Sequence, residues 1–207
     1  MTATATLSVS EEGLPNFDGL GRSAGAFGTI LTRQTGTSSA GLSPGATGAD
    51  NVIASYALPA NTFNYAPQGN ALPLVNVATA GLRVRIIGHF AANGNTKTVK
   101  LIYNPATATV GSTVGTGGTT LITTSTLTTS GGGFILEGWI AKYGAPNSNT
   151  QVAGQYIAYN GTTLITLPAP SYVAAVENAA INIAVTGNAA TTATDIVVDL
   201  FEIWGYN

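Results

Sequence analysis

The sequence predicts an all-β fold, an antiparallel jelly-roll sandwich over residues 51–207 entered from an extended N-terminal arm over residues 1–50. Three observations carry that expectation. Short runs rich in β-branched and aromatic residues are separated by Gly, Asn and Pro, as strands and turns require. No stretch of ten or more residues keeps a convincing helical period. The chain holds 26 glycines and only 8% charged residues, against about a quarter in an ordinary globular domain.

Residues 1–50 are rich in Gly, and their apolar residues (Leu14, Phe17, Leu20, Phe27, Ile30, Leu31) stand singly. That is too sparse to close a core and sufficient to dock an extended segment on another surface; a disordered tail is the competing expectation. Strands are expected at 51–58, 72–77, 82–90, 97–103, 119–123, 134–143, 151–159, 162–167, 181–186 and 195–206. Alternation is clearest in 82–90, where Leu82, Val84, Ile86, Gly88 and Phe90 share one face and Arg83, Arg85, Ile87 and His89 the other. Asn160-Gly161 suits a type I′ hairpin turn and Asn93-Gly94 marks another bend. The Thr/Gly stretch from Thr107 to Gly133 reads as a surface excursion around a short strand. An immunoglobulin-like sandwich is the nearest alternative architecture.

Composition excludes several functional classes. With 7 Lys and Arg against 9 Asp and Glu, the net charge is −2, and the densest basic groups are the pairs Arg83/Arg85 and Lys97/Lys100. Two pairs do not form a phosphate track, so no nucleic-acid partner is expected. The chain has no Cys, which removes thiolate zinc sites, iron–sulfur clusters and Cys nucleophiles. No membrane partner is expected, since no run of about 18 apolar residues occurs. The opening Met1–Leu7 lacks a basic region followed by an apolar stretch and reads as a cytoplasmic start.

No enzyme activity, cofactor or metal is expected. His89 is the only imidazole, so a Ser-His-Asp arrangement would have to use it with Asp195 or Asp199; its position on a mixed strand face favours a surface or interface role. Glu137, Glu177, Asp195, Asp199 and Glu202 are candidate acids, but no spacing singles out a pair for glycoside hydrolysis. Pairing of Asp195 and Asp199 with Arg83 or Arg85 across strands is the simpler expectation. Gly115-Thr116-Gly117-Gly118 lacks the Lys and helix of a phosphate loop. Glu11, Glu12 and Asp18 are the nearest approach to a calcium-binding cluster.

The informative feature is strands apolar on both faces. In 134–143, Phe134, Leu136 and Ile140 oppose Ile135, Trp139 and Tyr143. In the last strand, Ile196, Val198, Leu200 and Trp204 oppose Val197, Phe201 and Ile203. One apolar face suffices for a sandwich strand, so the second needs a cover, and identical subunits supply one. The expected oligomer interface is therefore Ile135, Trp139, Tyr143, Val197, Phe201 and Ile203, with packing under the arm as the alternative.

Three stretches then carry a family resemblance: Leu58-Pro59-Ala60-Asn61-Thr62; Leu82-Arg83-Val84-Arg85 running into Gly88-His89-Phe90-Ala91-Ala92-Asn93-Gly94-Asn95-Thr96-Lys97-Thr98; and Ile181-Asn182-Ile183-Ala184-Val185-Thr186-Gly187 leading to Ala193-Thr194-Asp195-Ile196. Together they resemble jelly-roll structural proteins of tailed bacteriophages, in particular capsid decoration (cement) and head-fibre proteins, over roughly 51–207. The resemblance implies a homotrimer on the outer capsid surface of the virion, assembled in the host cytoplasm. It implies the phage major capsid protein as partner and no catalytic residues. Leu14, Phe17, Phe27, Ile30 and Leu31 are the expected capsid contacts, because an extended arm can add to an exposed edge. Related modules occur in tail fibres and spikes. A receptor-binding or structural module there is the alternative function, with Tyr143, Tyr156, Tyr159 and Tyr172 as its candidate contacts. A carbohydrate-active enzyme using Glu137 and Asp199 is the third.

Overall fold

The computed structural model describes residues 8–9, 15–16, 29–35, 49–60, 81–124, 131–142, 151–160, 163–164, 171–173, 179–189 and 194–206. Every regular element among them is a strand. In chain order these are β1 (Ser8–Val9), β2 (Pro15–Asn16), β3 (Thr29–Thr35), β4 (Asn51–Leu58), β5 (Gly81–Phe90), β6 (Lys97–Tyr103), β7 (Thr119–Thr123), β8 (Gly133–Lys142), β9 (Gln151–Asn160), β10 (Thr163–Leu164), β11 (Ser171–Val173), β12 (Ile181–Ala189) and β13 (Ile196–Tyr206). The sequence expectation for 72–77 lies outside the described residues.

All pairings are antiparallel. One sheet has the order β10-β9-β8-β5-β13-β3 with β11 also on β9, the other the order β4-β12-β6-β7, and among the described residues β1 pairs with β2 alone. Eight strands carry the two-sheet body, and their pairing is nested: β3 with β13, β4 with β12, β5 with β8 and β6 with β7. First and last pair, then second and second-to-last, as in one long hairpin rolled over on itself. β9, β10 and β11 extend the large sheet beyond β8.

The inner faces meet in a single core, consistent with a β-sandwich. Leu82, Val84, Ile86 and Phe90 of β5, Phe134, Leu136 and Ile140 of β8, and Ile196, Val198, Phe201 and Ile203 of β13 pack with Leu58, Val99, Leu101, Tyr103, Ile122, Ile181, Ile183 and Val185 of the small sheet. The alternation expected for 82–90 is the alternation found: Leu82, Val84, Ile86, Gly88 and Phe90 are buried, while Arg83 and His89 are exposed and Arg85 and Ile87 half-buried.

Two expectations change. Phe201 and Ile203 are not on the face of Val197; both are fully buried in the core. The cause is a bulge, since the register with β5 slips between Val198 and Leu200, and the extra residue Asp199 inverts the alternation beyond it. Residues 29–35 of the expected arm form β3, hydrogen-bonded along β13 at the rim of the large sheet. Leu31 packs on the core, its Cδ atoms 3.4–3.5 Å from where a side chain on Gly205 would begin. Its apolar surface is thus used within its own sandwich.

Candidate functional site

The small sheet's outer face is closed by the chain itself. The segment 104–118 leaves β6, crosses β12 and reaches β4: Asn104 N–H donates to Asn182 O (2.6 Å), Asn182 Nδ2 to Pro105 O (3.0 Å), Val52 N–H to Ser112 O (2.9 Å) and Val114 N–H to Asp50 O (2.9 Å). Beneath it the outward residues Ile102, Ala184 and Thr186 are buried, and Gly118 lies so close to Ile102 that a Cβ there would fall 2.6 Å from its Cγ2. The stretch expected as a surface excursion is therefore partly a cover. Asn104 starts it with φ 55°, a left-handed conformation that Asn tolerates.

The large sheet's outer face is built differently. Register places three rows of side chains across it. Arg33, Glu202, Arg85 and Glu137 lie in line on β3, β13, β5 and β8, so charge alternates from strand to strand. One row away stand Trp204, Arg83 and Trp139, and on the other side Leu200, Ile87 and Ile135. Arg33 Nε meets Glu202 Oε1 at 2.5 Å, Arg83 Nη2 meets Glu137 Oε2 at 2.8 Å, and Arg85 Nε also donates to Glu137.

Burial in this ladder is asymmetric. Glu137 and Glu202 expose 3% and 4% of their side chains, whereas Arg33, Arg83 and Arg85 expose 51%, 46% and 40%. The carboxylates lie against the sheet and the guanidinium groups spread over them, so the ladder turns its cationic groups outward. Burial pushes the Glu137 carboxyl up, but the hydrogen bonds and charges of Arg83 and Arg85 outweigh it and hold its pKa below the ordinary 4.5. Leaving such a carboxylate unpaired would cost several kcal/mol.

The predicted cross-strand pairs are partly exchanged. Arg83 and Arg85 take Glu137 rather than Asp195 or Asp199. Asp199, displaced outward by the bulge, pairs with His89 Nδ1 at 2.8 Å on the exposed face. Asp195 lies fully buried before β13 and accepts from Asn93 Nδ2 (2.7 Å) and Asn95 Nδ2 (2.9 Å). Asn93 Oδ1 accepts from the Asn95 N–H (3.1 Å), an Asx turn. The fully buried Lys97 ammonium donates to Asn93 O (3.0 Å), Asn93 Oδ1 (2.9 Å) and Asn95 O (2.9 Å). Thus the stretch Asn93–Lys97 and the stretch Thr194–Ile196, quoted separately for the resemblance, form one polar cluster at an end of the sandwich.

Of the expected interface residues, Ile135 (38% exposed) and the half-buried Trp139 lie on the outer face of the large sheet, and Val197 is outward but buried. Leu200 and Trp204 join them there, missed because the bulge was not foreseen. Tyr143, Leu14, Phe17 and Phe27 lie outside the described residues. Ile30 is in β3. Among the described residues no group of three or more His, Cys, Asp and Glu could hold a metal ion, and no helix is long and apolar enough to cross a membrane. Compared with known proteins, the chain matches no family model, no curated protein and no solved structure.

Proposed function

We propose that this chain is a viral structural protein, a capsid decoration (cement) protein of a tailed bacteriophage that binds the outer head shell as an oligomer and bridges and stabilises capsomers. One observation carries the reading. The chain seals the outside of its small sheet with its own segment 104–118, while the outside of its large sheet presents pinned guanidinium groups between a tryptophan row and an aliphatic row. A surface of that kind, with Ile135, Trp139, Leu200 and Trp204 among its residues, suits contact with another protein.

The fold is read as a jelly roll, and the nested strand pairing supports it. The resemblance adds the number three and the major capsid protein as partner. A DNA-filled head pushes outward, and an oligomer that grips several capsomers resists because each contact raises the effective concentration of the next. Residues before β3, with Leu14, Phe17 and Phe27, are the element that links one sandwich to a surface outside itself. A second reading, a receptor-binding or structural module of a tail fibre or spike, draws on Val110, 50% exposed in the segment 104–118 among Thr107, Thr109 and Ser112.

The test is co-sedimentation of the purified protein with phage heads that lack it, followed by heating. The proposal expects saturable binding and a higher rupture temperature for the coated heads. Heads that bind none of the protein overturn it.

A further inference from the structure

We infer that the cationic outer face of the large sheet receives the acidic N-terminal stretch, Glu11 to Asp18, of a second copy of this chain, so that arms exchanged between copies hold the oligomer together. The inference rests on the oligomeric reading above and specifies which surface the arm meets.

The complementarity is in the inventory. Of the cationic side chains that the structure describes, Lys97 is buried in its amide cage and Lys100 is paired with Asp50 at 2.7 Å on the small sheet; Arg22 and the side chain of Lys142 lie outside the described residues. Arg33, Arg83 and Arg85 are gathered on one face and left 51%, 46% and 40% exposed above two buried carboxylates. A guanidinium carries five N–H donors in a fixed fork, so a group held from beneath by one carboxylate still offers a preorganised edge to another. Arg33 and Arg85 are each held to the carboxylate beneath through Nε, while 51% and 40% of their side chains stay exposed.

The acidic residues show the converse. Among the acidic side chains that the structure describes, Asp50, Glu137, Asp195, Asp199 and Glu202 are all engaged with residues of the sandwich, Asp199 with His89 beside the arginine ladder; Glu177 lies outside the described residues. Glu11, Glu12 and Asp18 are clustered in the segment before β3, and Leu14 and Phe17 stand between them. That order of charge, apolar, aromatic and charge fits a face on which an arginine row adjoins the Trp204–Arg83–Trp139 row. The short pair β1–β2 at this segment belongs to neither sheet of its own sandwich.

A segment leaving one copy for a different surface on another closes either by reciprocal exchange between two copies or, where the rotation between copies closes, as a head-to-tail ring. Either closed form satisfies each arm and each arginine face once. The number of copies follows from closure and is not needed for the contact.

The chain contains no Cys, so engineered thiols report proximity cleanly. The full-length protein with Glu12→Cys is mixed with a second preparation carrying Ile135→Cys and mildly oxidised. Disulfides between unlike chains are expected. A single chain carrying both changes, oxidised at high dilution, is the control: crosslinks that form only within one chain overturn the exchange. In parallel, Glu11→Lys with Glu12→Lys lies outside the eight paired strands and is expected to leave folding intact. It should weaken association at least about tenfold at low salt, while added salt weakens the unaltered protein in the same direction. An association constant unchanged by the reversal overturns the inference. Charge-reversed protein that stays fully oligomeric but no longer coats heads likewise overturns it, and leaves the decoration reading standing with the arm on the shell. A reversed protein that becomes monomeric supports it, whatever particles show.

Discussion

Gly88 lies directly beneath the ring of Phe134: a Cβ on Gly88 would sit 2.4 Å from Phe134 Cζ and 2.2 Å from the Val197 carbonyl oxygen. The absent side chain lets Phe134 lean across β5 onto Phe90, with ring centroids 4.7 Å apart. Such a tilted pair contributes about 0.5–1.5 kcal/mol beyond burial.

Gly88→Ala therefore forces either the ring or the β13 backbone to move. Overpacking of this kind costs about 1–3 kcal/mol. Equilibrium denaturation should show a lower midpoint with the slope retained. An unchanged midpoint would mean that both the Phe134 ring and the β13 backbone at Val197 can yield without loss.

Lys97→Met should destabilise more. It keeps the length of the stem but leaves three oxygens of Asn93 and Asn95 without their cation, and breaking a buried charged network by removing one member costs about 3–5 kcal/mol. Urea unfolding of the variant checks the size of the loss. A cost below about 1 kcal/mol would show that the amides and Asp195 hold the turn unaided.

Acid should weaken the sandwich through Glu137. Its pKa in the folded protein lies below 4.5, which is near its value when unfolded. The unfolded state therefore binds the proton first, and the stabilisation is complete above about pH 5 and declines from there until pH falls through the folded pKa. Glu137→Gln removes this dependence and lowers stability at neutral pH, leaving Arg83 and Arg85 facing a neutral amide. Unfolding free energies of both proteins from pH 7 to pH 3 should converge as pH falls; parallel curves would contradict the assignment.

Truncations should separate arm from sandwich. Removing residues 1–28 leaves all eight nested strands, so the protein should fold while association falls. Removing 1–50 also takes β3, exposes the rim of β13 and uncovers the core beside Gly205 that Leu31 packs against, so the melting temperature should drop. Equal melting temperatures for the two truncations would show that β3 contributes nothing to stability.

Much of this fold was legible because its signals are local. Period-two alternation and flanking Gly, Asn and Pro located β4, β6 and β7 to the residue, and β5, β8, β9 and β13 to within one. β3 was hidden because Thr29–Thr35 is a modest strand in a Gly-rich context, and its partner lies far along the chain: Arg33 and Glu202 are 169 residues apart. The face of Phe201 and Ile203 was misassigned since a single bulged residue, Asp199, has no distinct composition. The polar cluster depended on Asp195 meeting Asn93 and Asn95 from 102 and 100 residues away, which no spacing rule encodes. The outer face was legible in half: Ile135 and Trp139 follow from alternation before any bulge, Leu200 and Trp204 only from the register.

The most direct test of the central claim is imaging of intact particles with the protein located by labelling. The account predicts labelled density on the outer surface of the head, repeated at equivalent lattice points, each made of several 20.8 kDa copies. Label confined to the tail, or particles that carry none, would contradict it.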